Sequence, residues 1–130
     1  VKIVFKTPVR FSVPSLRRRC PKFSLFPEPE RVFPNILRHW NRFFEPRFSV
    51  DGVVEFVRDF VFVSDYRLRP VVVEMTHGRK VVGSVGYVMY RFLDRSNLDV
   101  LLALLRYGEL FNVGTGRSMG LGVNLVKIVD

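Results

Sequence analysis

The run from Val81 to Leu93, Val-Val-Gly-Ser-Val-Gly-Tyr-Val-Met-Tyr-Arg-Phe-Leu, constrains this chain more than any other stretch. β-Branched and aromatic residues dominate it, so it reads as a strand. Its apolar residues fall on both sides: Val85, Tyr87 and Met89 on one, Val88, Tyr90 and Phe92 on the other. A sheet covered on one face alternates more cleanly with polar residues. Something is therefore expected to cover the second face. The candidates are a second domain, a partner subunit or an RNA that stacks on aromatic rings.

The remaining pattern places this strand in a defined order. Lys2 to Lys6 alternates and predicts an opening strand. Pro8, Pro14, Pro21, Pro27 and Pro29 punctuate a loop region. A helix is expected from Pro29 to Phe44, because Pro29 suits a first helical position and Glu28 and Glu30 suit the positive end of the dipole. Val32, Phe33, Ile36, Leu37, Trp40, Phe43 and Phe44 recur at helical spacing as its buried stripe, with Arg31, Asn35, Arg38 and Arg42 opposite. Asp51 could cap a short helix from Gly52 to Arg58. Val61 to Val63 and Val71 to Met75 read as strands, or as one strand bent near Pro70, and His77-Gly78-Arg79 as a hairpin turn. Ser96 or Asn97 could cap a second long helix, in which Leu98, Leu101, Leu102 and Leu105 form an apolar face widened by Ala103, Leu104 and Tyr107. Leu121 to Val129 is the last expected strand.

Strand, helix, strand, strand, helix, strand is the βαββαβ order of an α+β, ferredoxin-like domain. It is RRM-like, an antiparallel sheet with two helices on one face. At 130 residues the chain suffices for a single domain of this kind. It begins at Val1 rather than Met, which reads as a piece of a longer protein.

Charge narrows the partners. Lys and Arg number 21 against 12 acids, a formal net charge of +9. Such a surface attracts polyanions, and phosphate neutralisation is the usual reason for it. No apolar run approaches the roughly 20 residues that span a bilayer, and no signal peptide is visible, so no membrane partner is expected. Cys20 is the one cysteine. It cannot form an internal disulfide, which fits a cytoplasmic setting, and it removes any cysteine-based zinc site. With only His39 and His77 besides, neither a metal nor another cofactor is expected. The run Arg17-Arg18-Arg19 could bind phosphate, although an isolated basic run is by default a solvated one.

The segment Gly114-Thr115-Gly116-Arg117-Ser118-Met119-Gly120-Leu121-Gly122 is the strongest candidate site. Glycines admit positive φ angles and let a ligand approach the amides, which can form an anion-binding turn. Three nucleotide loops are excluded. The dinucleotide fingerprint needs a strand before and a helix after, and here the order is reversed. The P-loop needs Gly-Lys-Ser/Thr, which is absent. The kinase loop needs downstream elements for which no chain remains. A glycine-rich bulge entering a strand is the purely structural alternative. Thr115, Arg117 and Ser118 between the glycines favour a ligand loop. The hydroxyls and amides would supply hydrogen bonds, and Arg117 the charge.

In this setting the stretch from Tyr107 to Gly122 resembles the C-terminal glycine-rich loop of the RAMP superfamily. More narrowly, it resembles the C-terminal domain of the CRISPR-associated endoribonuclease that cuts precursor CRISPR RNA. Phe5-Lys-Thr-Pro-Val-Arg-Phe11 is similar to that domain's opening strand. Pro29 to Phe33 with Arg38 to Asn41 is similar to its first helix, and Val63 to Arg69 and Val82 to Tyr87 to its middle strands. The resemblance implies two ferredoxin-like domains in tandem, the first of them preceding this sequence, and CRISPR repeat RNA held between them. It implies metal-independent cleavage, in which a ribose 2′-hydroxyl attacks its own phosphate with general acid–base help. It also places the catalytic His of the family on the first helix of the other domain. Within this chain His39 is the one candidate base, and a helix-surface role beside the arginines is the preferred reading for it. Gly114, Thr115, Gly116, Arg117, Ser118, Gly120 and Gly122 are then the expected RNA contacts, with Arg38, Arg42, Arg17, Arg18 and Arg19 around them. The alternative is a non-catalytic RAMP-type subunit that holds guide RNA in an effector complex. A generic RNA-recognition module fits less well, since its aromatic strand signature is missing.

Overall fold

The computed structural model describes residues 1–13 and 22–129. Arg17, Arg18, Arg19 and Cys20 lie outside the described residues. Strand β1 (Lys2–Val9) leads into β2 (Phe11–Val13), which pairs antiparallel with β3 (Lys22–Ser24). Helices α1 (Pro29–Phe43) and α2 (Val50–Phe60) follow, then the long strands β4 (Val61–Glu74) and β5 (Lys80–Phe92), helix α3 (Leu98–Phe111) and β6 (Asn124–Lys127). Strands β1, β4, β5 and β6 form one antiparallel sheet in the order β4-β5-β1-β6. This is the ferredoxin-like order, with β1 and β5 in the middle.

Alternation along the strands selects the packed face. Ile3 and Phe5 of β1, Val88 and Tyr90 of β5 and Val126 of β6 are buried. They meet Val32, Phe33, Ile36 and Leu37 of α1, Val57 of α2 and Leu101, Leu104 and Leu105 of α3 in one core. Each such side chain removed from water stabilises the fold by roughly 1.5–3 kcal/mol before chain entropy is counted. The register accounts for the unusual β5 pattern. Val88 and Tyr90 face the helices, whereas Val85, Tyr87 and Met89 are half-buried on the open face. There Lys2 Nζ lies 4.2 Å from the centre of the Tyr87 ring, and the Tyr87 hydroxyl donates to Asp65 at 3.1 Å.

Several expectations shift. The described parts of the proline-rich segment contain the paired strands β2 and β3, and Pro14 and Pro21 lie outside the described residues. The short helix begins earlier, at Val50, because Ser49 rather than Asp51 caps it, with Ser49 Oγ accepting from Gly52 N–H at 3.1 Å. β4 is continuous through Pro70, which a sheet-edge strand tolerates since one side needs no N–H. Asn97 precedes α3 without a capping side-chain bond. Ala103 is exposed and does not widen the buried face of α3, while Leu104 and Tyr107 do. The last strand is shorter than its apolar run, because Gly122 and the residues before it are held by other partners. Phe43 and Phe44 continue the α1 stripe in sequence but are 61% and 41% exposed. By that point α1 has run past the main core. Among the described residues no helix is long and apolar enough to cross a membrane.

Candidate nucleic-acid interface

The glycine segment leaves α3 through Asn112, whose φ is +66°, and returns to the sheet at β6. Gly114, Gly116, Gly120 and Gly122 all have positive φ. At the base of the loop the glycines are needed for space. A β-carbon on Gly122 would stand 1.7 Å from the carbonyl oxygen of Val113, and one on Gly114 2.5 Å from that of Arg10.

Most of the loop's amides are already committed. Val113 N–H donates to Gly122 O at 3.1 Å, Gly122 N–H to Pro8 O at 3.0 Å and Thr115 N–H to Arg10 O at 2.8 Å. Met119 and Leu121 both donate to Gly116 O, and Gly120 donates to Arg117 O. Gly114 N–H donates to Asn35 Oδ1 at 2.9 Å. Thr7 Oγ1 donates to Gly120 O at 2.7 Å and accepts from Val123 N–H at 2.9 Å. Thr115 Oγ1 accepts from Ser12 N–H at 3.0 Å and lies 2.9 Å from Ser12 Oγ. Three successive amides remain. Gly116, Arg117 and Ser118 make no backbone hydrogen bond among the described residues. Gly116 is left-handed and Arg117 opens a 310 turn, Arg117–Met119. A left-handed residue followed by a right-handed one turns three N–H groups towards one point, which is how backbone builds a concavity for an anion.

Arg117 sits beside these amides, half-buried. Its Nη2 donates to Asn35 Oδ1, so the Asn35 side chain holds both the loop backbone and the arginine. Its Nη1 has no hydrogen-bond partner among the described residues. Burial lowers the Arg117 pKa from its usual value, but guanidinium stays charged throughout the neutral range. Beyond Arg117, on α1, lies His39. Its Nδ1 and the Tyr107 hydroxyl are 2.6 Å apart, and its ring packs against Phe43 and Phe111. Burial pushes its pKa down, helped by the charges of Arg117 and Arg42.

The fold therefore brings the glycine loop, Arg117, His39 and Arg42 together. Arg38 is exposed on the same helix, and Arg17, Arg18 and Arg19 fall outside the described residues. Sequence reasoning missed the supports: Asn35, Thr7 and Ser12. Asn35 carried a signal, as the one uncharged member of the arginine face of α1. Thr7 and Ser12 carried none, since their partners lie more than 100 residues away in sequence. Among the described residues no cluster of His, Cys, Asp or Glu could hold a metal ion.

An antiparallel ferredoxin-like sheet that braces a C-terminal glycine loop defines the class. The model of the CRISPR-associated endoribonuclease Cas6 family matches residues 3–123, and the chain belongs to that family. Among solved structures, a Cas6 product complex superposes with TM-score 0.81 at 21% identity, over 95% of this chain and 49% of that one. A second Cas6 product complex gives 0.75 at 25% identity, over 98% and 50%. A Thermus thermophilus Cas6 gives 0.78 at 19% identity, over 95% and 51%. The chain thus spans about half the length of the structures it matches. No curated protein matches it significantly.

Proposed function

We propose that this chain is the RNA-binding C-terminal domain of a CRISPR RNA-processing endoribonuclease, and that it grips repeat RNA with the Gly114–Gly122 loop. The observation that carries this reading is the set of amides at Gly116, Arg117 and Ser118 that make no backbone hydrogen bond among the described residues, beside a guanidinium already held in place by Asn35. A structural turn would use those amides internally, as Gly114 and Gly122 do. A phosphate oxygen would accept from them, and the Arg117 charge would favour it. The net charge of +9 supports the same partner class. The product and substrate-mimic states of the solved Cas6 relatives agree with a chain that works on such a ligand.

The cutting groups belong to the preceding domain in this reading. His39, whose Nδ1 lies 2.6 Å from the Tyr107 hydroxyl, is in this reading a surface side chain beside the arginines, and the base lies in the other domain. The RNA supplies every bond that changes: the 2′-hydroxyl gives its proton to a base and its oxygen bonds to phosphorus, while the phosphorus–5′-oxygen bond breaks and that oxygen takes a proton from an acid, giving a cyclic phosphate and a 5′-hydroxyl. The half-buried row Val85, Tyr87 and Met89 is the surface left for the second domain.

Repeat RNA incubated in EDTA with this chain and with a longer natural form tests the reading. Cyclic-phosphate product from the longer form alone is expected, with salt-sensitive RNA binding by both. Cleavage by this chain alone, abolished by His39→Ala, would overturn the placement of the base. Binding without cleavage by either form would favour a non-catalytic RAMP-type subunit.

A further inference from the structure

A second surface adjoins the glycine loop and has no role in the reading above. His39, Trp40, Phe43 and Phe44 at the end of α1 meet Tyr107 and Phe111 at the end of α3 in one aromatic cluster. The ring centre of His39 lies 4.8 Å from that of Phe43 and 5.2 Å from that of Phe111, and Tyr107 and Phe111 are 4.6 Å apart. The inner members are anchored. Tyr107 is buried and bonded to His39, and Trp40 Nε1 donates to Pro46 O at 2.8 Å. The outer rings are not covered: Phe43 and Phe111 are exposed. A fixed inner layer therefore carries exposed aromatic rings, which is costly unless something covers them.

Charge selects the occupant. The ions acting on His39 are Arg117 and Arg42, both cationic. α1 carries no acid from Arg38 to Phe43. Glu109, the acid nearest the end of α3, is taken by Arg106 and by the Val126 amide. Glu45 is exposed beside Arg47. Aromatic rings rimmed by arginine and poor in acid suit a strand that is both planar and polyanionic. A protein partner would need both carboxylates for the arginines and side chains to cover the rings, whereas one RNA strand brings phosphate and base together.

Position supports the same occupant. Asn35, which holds Gly114 and Arg117, and His39 are one helical turn apart on α1, about 6 Å of rise. The phosphate site and the ring surface are therefore successive stations along one path. We propose that His39, Phe43 and Phe111 form a stacking platform for an unpaired base of the RNA whose backbone lies on the glycine loop. This rests on the RNA-binding reading of the loop and adds a preference for single-stranded RNA beside the grip.

The test uses the 130-residue chain, a short single-stranded RNA carrying one 2-aminopurine, and the same RNA fully paired. Phe43→Ala and Phe111→Ala, at exposed positions, are expected to weaken single-strand binding roughly 5- to 150-fold and to abolish quenching of the probe. The salt slope should stay unchanged, since no phosphate contact is lost. Phe43→Leu should behave like the alanine variant, because it keeps the apolar area but loses the π face, and Phe43→Trp should restore binding. Paired RNA should be insensitive to all four. If Arg117→Ala weakens binding while both phenylalanine variants bind as the parent does, the platform is wrong and the loop stands. If the parent shows no salt-dependent binding, the loop and the platform fall together. If Phe43→Leu binds fully, or if the alanine variants convert a dimer to a monomer, the surface is a protein contact and the proposal is overturned.

Discussion

Gly122 at the base of the glycine loop and Gly120 at its tip have almost the same backbone angle, φ +73° and +86°, but opposite surroundings. A β-carbon at Gly122 would collide with Val113, whereas one at Gly120 meets nothing within 4 Å. Gly122 N–H is tied to β1 through Pro8, and the next residue, Val123, accepts from Lys6 N–H at 2.7 Å. The amides of Gly116, Arg117 and Ser118, on the way to the tip, make no backbone hydrogen bond among the described residues. One glycine-rich motif thus does two jobs. Its base sits against β1 too tightly for side chains, and its tip, held by Thr7 through the Gly120 carbonyl, has open space around it.

Gly122→Ala should have the largest effect. It adds a steric collision with backbone to left-handed strain, which alone costs about 1–2 kcal/mol, so a large drop in the urea midpoint is expected. An unchanged midpoint would dissolve the distinction between base and tip. Asn35→Ala comes next. It strands the Gly114 amide and one Arg117 donor together, a loss of about 1–3 kcal/mol, and it should weaken RNA binding in parallel. Arg117→Ala should weaken RNA affinity and reduce the salt slope by about one, leaving the melting temperature near that of the parent. Gly120→Ala should cost only the left-handed strain, about 1 kcal/mol, with RNA binding retained. Loss of binding without loss of stability would move Gly120 from linker to contact.

The smallest effect is a pH dependence at His39. Its folded pKa lies below the unfolded value, so the unfolded chain binds the proton first. Stability from this group is full above about pH 6.5. It declines as the pH falls through that value, until the folded pKa is passed. The ring resonances of His39 should titrate below about pH 6.5, and Phe111→Ala, which opens the pocket, should bring the midpoint closer to it. A midpoint at or above the ordinary value would contradict the packing against Phe43 and Phe111.

Much of this molecule is legible in its sequence. Period and punctuation place α1, β5 and the start of α3 within a residue or so, because each buries a face whose spacing is set by its own geometry. Composition and the helix-then-strand context separate the glycine loop from nucleotide-binding loops. What the sequence could not say is which glycines fill space and which leave amides open, since that depends on Pro8, Arg10 and Asn35 arriving from far along the chain. Nor could it tell burial from exposure along a single stripe: Leu37 is covered and Phe43 is not, though both belong to the apolar stripe of α1. Local pattern is a property of neighbours in sequence. Burial and hydrogen-bond partnership are properties of neighbours in space, and only the packing of β1, α1 and α3 around the loop decided them.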